Sequence, residues 1–200
     1  MNLLTQNSKI KKTGEHFGVR LFNWTLPAYK SKSGKVICPM ADACIKFCYA
    51  RKGAYIWSNV NKVHEERYEF SKTAMFVQVM IAEIKKKQAQ YIRVHDSGDY
   101  YSPMYLAKWF EIARSLPEVR FYSYTNMVDL VQNVSVPDNF DFIFSDSGKQ
   151  SHMIDRRVHR HTKIFQIGSD MGDYVDASKY DLYATKWFSP NNNRVGLIIH

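Results

Sequence analysis

Apolar residues recur at steps of three and four positions between residues 60 and 87, which is the spacing of one face of an α-helix. The positions on this face are Phe70, Ala74, Val77, Ile81 and Ile84. A second helix is predicted to begin after Ser102, because a capping serine is often followed by proline, here Pro103, at the first helical position. Its apolar stripe comprises Leu106, Trp109, Ala113 and Leu116. The pattern therefore predicts two amphipathic helices.

Short runs of β-branched and aromatic residues separate these segments and predict buried strands. They lie at residues 19–25, 91–95, 119–124, 140–144, 163–167, 182–184 and 195–199. Alternation of strands with helices indicates parallel βα units whose helices cover the sheet. We therefore predict an α/β fold with a mostly parallel sheet of repeated βα units, arranged as an incomplete TIM-like (βα)6–7 barrel.

The length of 200 residues favours one domain. Residues 1–18 are polar and are predicted to form a flexible N-terminal segment, and residues 19–200 a single α/β domain. A long loop, residues 26–58, follows the first predicted strand. Apolar runs stay below the roughly 20 residues that a membrane helix needs, and a secretory signal is not recognisable. We therefore expect a cytoplasmic protein that does not bind membranes.

Small polar residues follow several predicted strands. They form the turn 96–99 after the second strand, the pair 125–126 after the third, and the turns 145–148 and 168–170 after the fourth and fifth. In parallel α/β folds the carboxyl ends of the strands face the ligand, so these turns are expected at one edge with the loop 26–58.

The turn after the second strand contains the candidate catalytic residues. His95, Asp96 and Asp99 lie at the predicted ligand-facing edge, where imidazole and carboxylate groups can transfer protons. The alternative for His95 is a histidine whose ring is hydrogen bonded to a neighbouring carbonyl group.

The three cysteines of the chain, Cys38, Cys44 and Cys48, all lie in the loop 26–58 with the spacing C-x5-C-x3-C. An odd number of clustered cysteines does not suit a disulfide framework and indicates metal or redox chemistry. Three thiolates can hold three corners of a [4Fe–4S] cluster and leave the fourth iron for another ligand. The sequence therefore predicts an iron–sulfur site.

Two other interpretations of the cysteines stay open. Zinc would need a fourth ligand, for which His64 and His95 are the candidates. The cysteines could also be free thiols packed in a loop.

The net charge of the chain indicates a candidate binding partner. The chain carries 28 Lys and Arg against 19 Asp and Glu, a formal net charge of +9, and the excess falls in residues 1–100. Such a surface can attract nucleic acid or a phosphate-bearing ligand. The alternative is that lysines such as those at positions 85–87 only solvate the end of a helix.

Three segments carry a resemblance to a known family. They are FNWTLPAYKS at 22–31, CPMADACIKFCYARKGAY at 38–55 and IRVHDSGDYYSPMYLAKWFEIARSLPEVRFYSYT at 92–125. They resemble the bacteriophage gene product 88 family, which itself looks like a compact, distant relative of radical S-adenosylmethionine (SAM) enzymes. Those enzymes hold a three-cysteine cluster after the first strand of a partial βα barrel.

The second resemblance implies roles for individual residues. Ser97, Gly98 and Asp99 stand where radical SAM enzymes hold the amino group of SAM, and Thr125 and Asn126 resemble a pair found after the third strand. These residues are therefore candidate cofactor-binding residues. The usual radical SAM spacing is C-x3-C-x2-C, which differs from the spacing here.

The resulting expectation is an iron–sulfur phage protein, with an open iron, that acts as an enzyme on a small or nucleotide-like substrate. Three alternatives remain. The open iron is a Lewis acid in a hydrolase or lyase. Alternatively, Asp96 or His95 caps the fourth iron, and the cluster serves only structure or electron transfer. Otherwise the protein is a non-catalytic, metal-stabilised module that binds nucleic acid or a host protein.

Overall fold

The computed structural model describes residues 2–198, and its centre is a parallel sheet of seven strands. The strands are β1 (Leu21–Trp24), β2 (Tyr91–Val94), β3 (Arg120–Thr125), β4 (Phe140–Ser145), β5 (His161–Phe165), β6 (Val175–Asp176) and β7 (Arg194–Ile198). Their order is β1-β2-β3-β4-β5-β7-β6, and every neighbouring pair is parallel. The α/β class and the parallel sheet are confirmed. The sheet is a curled half-barrel in which β1 and β6 are the edge strands.

Six α-helices accompany the sheet within the described residues. They are α1 (Ser8–Phe17), α2 (Cys44–Phe47), α3 (Ser58–Lys72), α4 (Phe76–Lys86), α5 (Pro103–Arg114) and α6 (Val128–Gln132). One face of the sheet packs its apolar residues, such as Ile92 and Phe121, in the same core as Met80 of α4 and Trp109 of α5. Ser102 caps α5 as predicted, since its side chain accepts a hydrogen bond from the Tyr105 N–H.

The predicted helix over residues 60–87 is two helices. α3 ends at Lys72, and the side chain of Lys108 donates hydrogen bonds to the carbonyl groups of Ser71, Lys72 and Thr73 at 2.9, 3.0 and 2.8 Å. These bonds satisfy the free carbonyl groups of the helix end, so the chain can turn before α4. Periodicity alone does not reveal such a contact from a distant side chain.

The N-terminal segment that the sequence predicted to be flexible contains a helix, because residues 8–17 form α1. Asn7 caps this helix by accepting a hydrogen bond from the Ile10 N–H at 2.8 Å. Leu4 and Ile10 are fully buried, the latter in a second core on the opposite face of the sheet. Few apolar residues are enough to stabilise α1, because this helix lies against the concave face of the sheet.

The predicted strand at 182–184 is also wrong, because residues Asp181–Ala184 form a 3-10 helix whose Leu182 and Ala184 join that second core. The sixth strand is the short β6, which lies at a polar sequence that gave no strand pattern. The predicted strand 195–199 corresponds to β7, and residues 199 and 200 lie outside the described residues.

Candidate metal centre

The cysteine loop, residues 38–48, is held above the carboxyl ends of the strands from two sides. On the β1 side, the carbonyl group of Tyr29 accepts hydrogen bonds from the N–H groups of Ile37 and Cys38 at 2.7 and 3.2 Å. These bonds fix Cys38 to the segment that follows β1. The sequence predicted this position for the loop 26–58 as a whole.

On the β4 side, the loop crosses the turn that follows β4. Ala41 forms an isolated antiparallel bridge with Gly148, and the Met40 carbonyl group accepts a hydrogen bond from the Lys149 N–H at 2.8 Å. A Cβ atom on Gly148 would lie 2.7 Å from the Met40 oxygen and would also collide with the Asn126 amide. Glycine is therefore required for the loop to approach this closely.

The three thiols are neighbours and none forms a disulfide. Cys44 begins α2 and Cys48 caps its end, and all three side chains are half-buried. Burial raises the pKa of the Cys38 thiol, and negative charge at Asp99, Cys48 and Cys44 raises it further. Burial likewise raises the pKa of Cys48. The loop is therefore a site where several thiolates are unstable unless a positive centre binds them.

Nearby backbone groups partly offset the effect of burial on two of the thiols. The backbone of Tyr29 lowers the pKa of Cys38, and the backbone of Ala50 and Arg51 lowers the pKa of Cys48.

A site for a single metal ion is not preformed. Among residues 2–198, no three His, Cys, Asp or Glu side chains are arranged to hold one ion. The proposed fourth zinc ligands are also directed elsewhere: His95 lies among aromatic side chains, and His64 lines a separate pocket.

Asp99 connects the turn after β2 to the end of β3. Its carboxylate accepts hydrogen bonds from the Thr125 hydroxyl at 2.6 Å and from the N–H groups of Asn126 and Tyr100 at 2.9 and 2.8 Å. Burial raises the pKa of Asp99 to about 6, although these donors oppose the rise. The structure thus brings Asp99, Thr125 and Asn126 together, close to Cys38.

Ser97 and Gly98 pack the same turn against the end of β1. The Ser97 hydroxyl donates a hydrogen bond to the Leu26 carbonyl group at 2.5 Å, and Gly98 has a φ of 85°. A Cβ atom on Gly98 would lie 2.6 Å from the Leu26 Cβ and 3.3 Å from the Ile37 side chain. Both residues therefore fix the position of the loop 26–58 relative to β2.

His95 is turned away from the cysteines into the aromatic core. Its Nε2 lies 3.0 Å from the Tyr105 hydroxyl, and its ring contacts Tyr100 edge-on. Its Nδ1 is buried without a partner among the described residues. Burial and the neighbouring Arg93 lower the pKa of His95 to about 3, so the ring is neutral at pH 7.

Asp96 takes part in a polar network on the concave face of the sheet. Its carboxylate accepts hydrogen bonds from Asn7 at 2.8 Å, from Tyr49 at 3.2 Å and from Tyr55. Arg93 lies 3.7 Å from it. Asp96 therefore joins the N-terminal segment and the cysteine loop to β2.

Sequence reasoning missed the centre of this network, which is the buried pair of Arg93 and Asp181 at 3.2 Å. Asp181 also binds Lys9 at 2.7 Å and accepts a hydrogen bond from Tyr122 at 2.7 Å. These cations lower the pKa of Asp181 to about 2 despite its complete burial. The only signal in the sequence was an arginine within an otherwise apolar strand.

A family model described as gene product 88 matches residues 1–190. The chain belongs to the gene product 88 family. The match extends well beyond residues 20–125, where the sequence segments suggested it. Two relatives, each named Gene 88 protein, come from Mycobacterium phages L5 and D29, and each is 32% identical over 102 residues.

The aligned region covers 45% of this chain and 43% and 42% of the L5 and D29 proteins, so the match spans less than half of each relative. No solved structure matches the chain. As for membranes, none of the described helices has the length and apolar character to span a bilayer.

Proposed function

We propose that this gene product 88 family member binds an iron–sulfur cluster through Cys38, Cys44 and Cys48 and leaves one iron for a ligand other than cysteine. The observation that supports this most directly is the set of three free, neighbouring thiols in one anchored loop. Burial and the negative charge of Asp99, Cys48 and Cys44 raise the pKa of Cys38, so thiolates in this loop need the positive charge of bound iron.

The surroundings of the loop favour a cluster over a single ion. Three thiolates give a mononuclear site one ligand too few for structural zinc, and no described histidine or carboxylate completes the set. The cysteine ligands of a cubane cluster lie farther apart than the ligands of a single ion. A cluster therefore suits three thiols that are neighbours but do not converge on one point. Exposed cations at Lys46, Arg51 and Lys52 offset the negative charge of a thiolate-ligated cluster.

We further propose an ancestry like that of radical SAM enzymes and an incomplete TIM-like barrel. The support is positional: the cysteine loop follows β1, the turn with Asp99 follows β2, and Thr125 and Asn126 follow β3 at one edge of a curled parallel sheet. In this account the protein is an enzyme of the host cell cytoplasm that acts on a small or nucleotide-like substrate. A bound cluster with an open iron supplies one-electron chemistry with SAM or Lewis-acid activation of a substrate.

The protein's own groups then have narrower roles than the sequence suggested. Asp99 is a positioning residue, because three internal donors occupy its oxygens and hold Thr125 and Asn126 in place. His95 supports the turn from within the core and does not reach a substrate, since Tyr105 and Tyr100 enclose it. Asp96 orients Tyr49 and Tyr55 beside the cysteine loop.

The open iron is tested by electron paramagnetic resonance of the anaerobically reduced protein before and after addition of SAM. A cluster signal that changes with SAM supports the radical SAM-like account. A cluster signal that ignores SAM but changes with a small anion such as citrate favours the Lewis-acid alternative. A signal that ignores both leaves a cluster with a structural role and overturns the open iron.

The role of Asp99 is tested in the same experiment. Asp99→Asn keeps the shape of the side chain but removes an acceptor, so we expect cluster content to persist and the response to SAM to weaken. Arg157→Ala, a substitution at an arginine whose side chain is 90% exposed, serves as a control. An unchanged SAM response in Asp99→Asn would contradict the positioning role.

A further inference from the structure

A pocket of about 270 Å³ lies between the cysteine loop and the start of α3. Its polar lining comes from Lys30, Arg51, Tyr55, Asn61 and His64. Sites that enclose a whole small molecule are usually roughly 300–1,000 Å³, so this pocket suits one group of a larger ligand. None of the cysteines contributes to its lining.

Two cations in the pocket have no carboxylate partner among the described residues. Lys30 and Arg51 are exposed, and both lie beside the ring of Tyr29, with Nζ and Cζ at 5.2 and 5.8 Å from its centroid. The Arg51 guanidinium is held by a hydrogen bond from Nη1 to the Ile45 carbonyl group at 3.1 Å. Two positive charges held near one ring without a counter-charge favour an anionic ligand.

The inner wall of the pocket provides an uncharged hydrogen-bonding group. His64 is only 8% exposed, and no hydrogen bond between described residues uses its ring. Burial and the nearby Arg67 lower its pKa to about 4, so the ring is neutral at pH 7. A neutral imidazole and the Asn61 amide can each donate one hydrogen bond to an oxygen of the ligand.

The carboxylate that contacts the pocket wall is already matched. Asp96 accepts hydrogen bonds from the lining residue Tyr55 and from Asn7, and it lies 3.7 Å from Arg93. Its charge is therefore offset within the network of the concave face, and the cations at the mouth remain available.

Large apolar side chains border the mouth of the pocket. Ile56 and Trp57 are 61% and 62% exposed, and Ile56 lines the pocket itself. An exposed tryptophan next to paired cations is the arrangement by which proteins stack a base and neutralise its phosphate. The other tryptophans are buried or half-buried, so Trp57 is the one that offers a free face in residues 2–198.

We propose that this pocket binds a phosphate group, with Lys30 and Arg51 as its cationic ligands and His64 and Asn61 as hydrogen-bond donors, and that Trp57 stacks on the attached base. The ligand class is a nucleotide, either free or within a single strand. The assignment rests on the pocket alone and holds whether or not the cysteines carry a cluster.

The test is isothermal titration of the anaerobically purified protein at low salt with ADP, with inorganic phosphate and with a single-stranded oligothymidylate. Because each charge-assisted contact contributes about 1.5–3 kcal/mol, Lys30→Ala and Arg51→Ala should each weaken binding roughly tenfold or more. Trp57→Ala should weaken ADP and oligothymidylate but leave inorganic phosphate unchanged. Arg157→Ala, an exposed arginine far along the chain, should bind like the wild type.

The probes also distinguish the source of the phosphate. Binding of ADP without binding of oligothymidylate assigns a free nucleotide, and binding of oligothymidylate alone assigns a strand. Iron content and the circular dichroism spectrum of each variant separate loss of the pocket from loss of the cluster or fold. Failure of all three probes to bind, or wild-type binding by the Lys30→Ala/Arg51→Ala double variant, would overturn the proposal.

Discussion

At the residue scale, the groups that the sequence marked as catalytic are used mainly to hold the site together. The carboxylate of Asp99 is saturated by internal donors, and His95 contributes a ring to the aromatic core. Position at the strand ends predicted that Asp99 would lie beside Thr125 and Asn126, and the structure brings these three residues together. Position could not predict the direction of the His95 side chain, because that depends on its left-handed backbone, with a φ of 70°.

His95 makes stability depend on pH. Its pKa is about 3 in the folded protein, below the value of about 6.5 for an unfolded chain. A base whose pKa is lowered by folding contributes stability above the unfolded pKa, and this contribution is lost as the pH falls. Between about pH 6 and pH 4, we expect His95 to remove about 1.4 kcal/mol of unfolding free energy per pH unit.

Urea unfolding of the wild type and of His95→Gln at several pH values isolates this contribution. The variant should lose that part of the slope, whereas His152→Gln, a substitution at an exposed histidine, should keep it. Parallel pH profiles for the wild type and His95→Gln would show that the ring is not buried in its neutral form.

At the element scale, the sheet and α5 could be predicted from periodicity, whereas the break between α3 and α4 could not. The strands are rich in buried β-branched and aromatic residues, and Ser102-Pro103 is a local signal. The break depends on Lys108, which lies more than thirty residues further along the chain and contacts the end of α3. Likewise, α1 becomes stable only against the sheet.

The crossing of the cysteine loop over the turn after β4 is an element-scale contact that can be tested. Gly148→Ala places a methyl group 2.7 Å from the Met40 carbonyl oxygen, so the loop must move away. Overpacking of this kind costs about 1–3 kcal/mol, and the displaced loop should also retain less iron after anaerobic purification. Ser147→Ala, at the neighbouring position, is the matched control.

Thermal unfolding and iron analysis of the two variants give the comparison. A Gly148→Ala protein with wild-type stability and iron content would mean that the Ala41–Gly148 bridge does not hold the loop.

At the scale of the whole molecule, buried charges connect segments that are far apart in sequence. Arg93 of β2 and Lys9 of α1 both bind Asp181, which begins the 3-10 helix near the C-terminus. Charged residues are seldom predicted to be buried, and no local pattern reveals their partners. This network holds α1 and the 3-10 helix Asp181–Ala184 against the sheet.

Arg93→Ala should therefore destabilise the whole protein. It leaves the buried carboxylates of Asp181 and Asp96 with less positive charge, and breaking a buried pair in this way costs about 3–5 kcal/mol. Arg157→Ala, whose side chain is 90% exposed, should change the unfolding free energy by less than about 1 kcal/mol. Chemical denaturation measures both, and a loss of similar size in the two variants would contradict a central role for the Arg93–Asp181 pair.

The most direct test of the account is elemental analysis of anaerobically purified wild-type protein and of the variants Cys38→Ser, Cys44→Ser and Cys48→Ser. The account predicts about four irons and about four sulfides per wild-type chain, and strongly reduced iron and sulfide in each variant. Stoichiometric zinc, absence of any metal after reconstitution, or iron that persists in all three variants would contradict the iron–sulfur site.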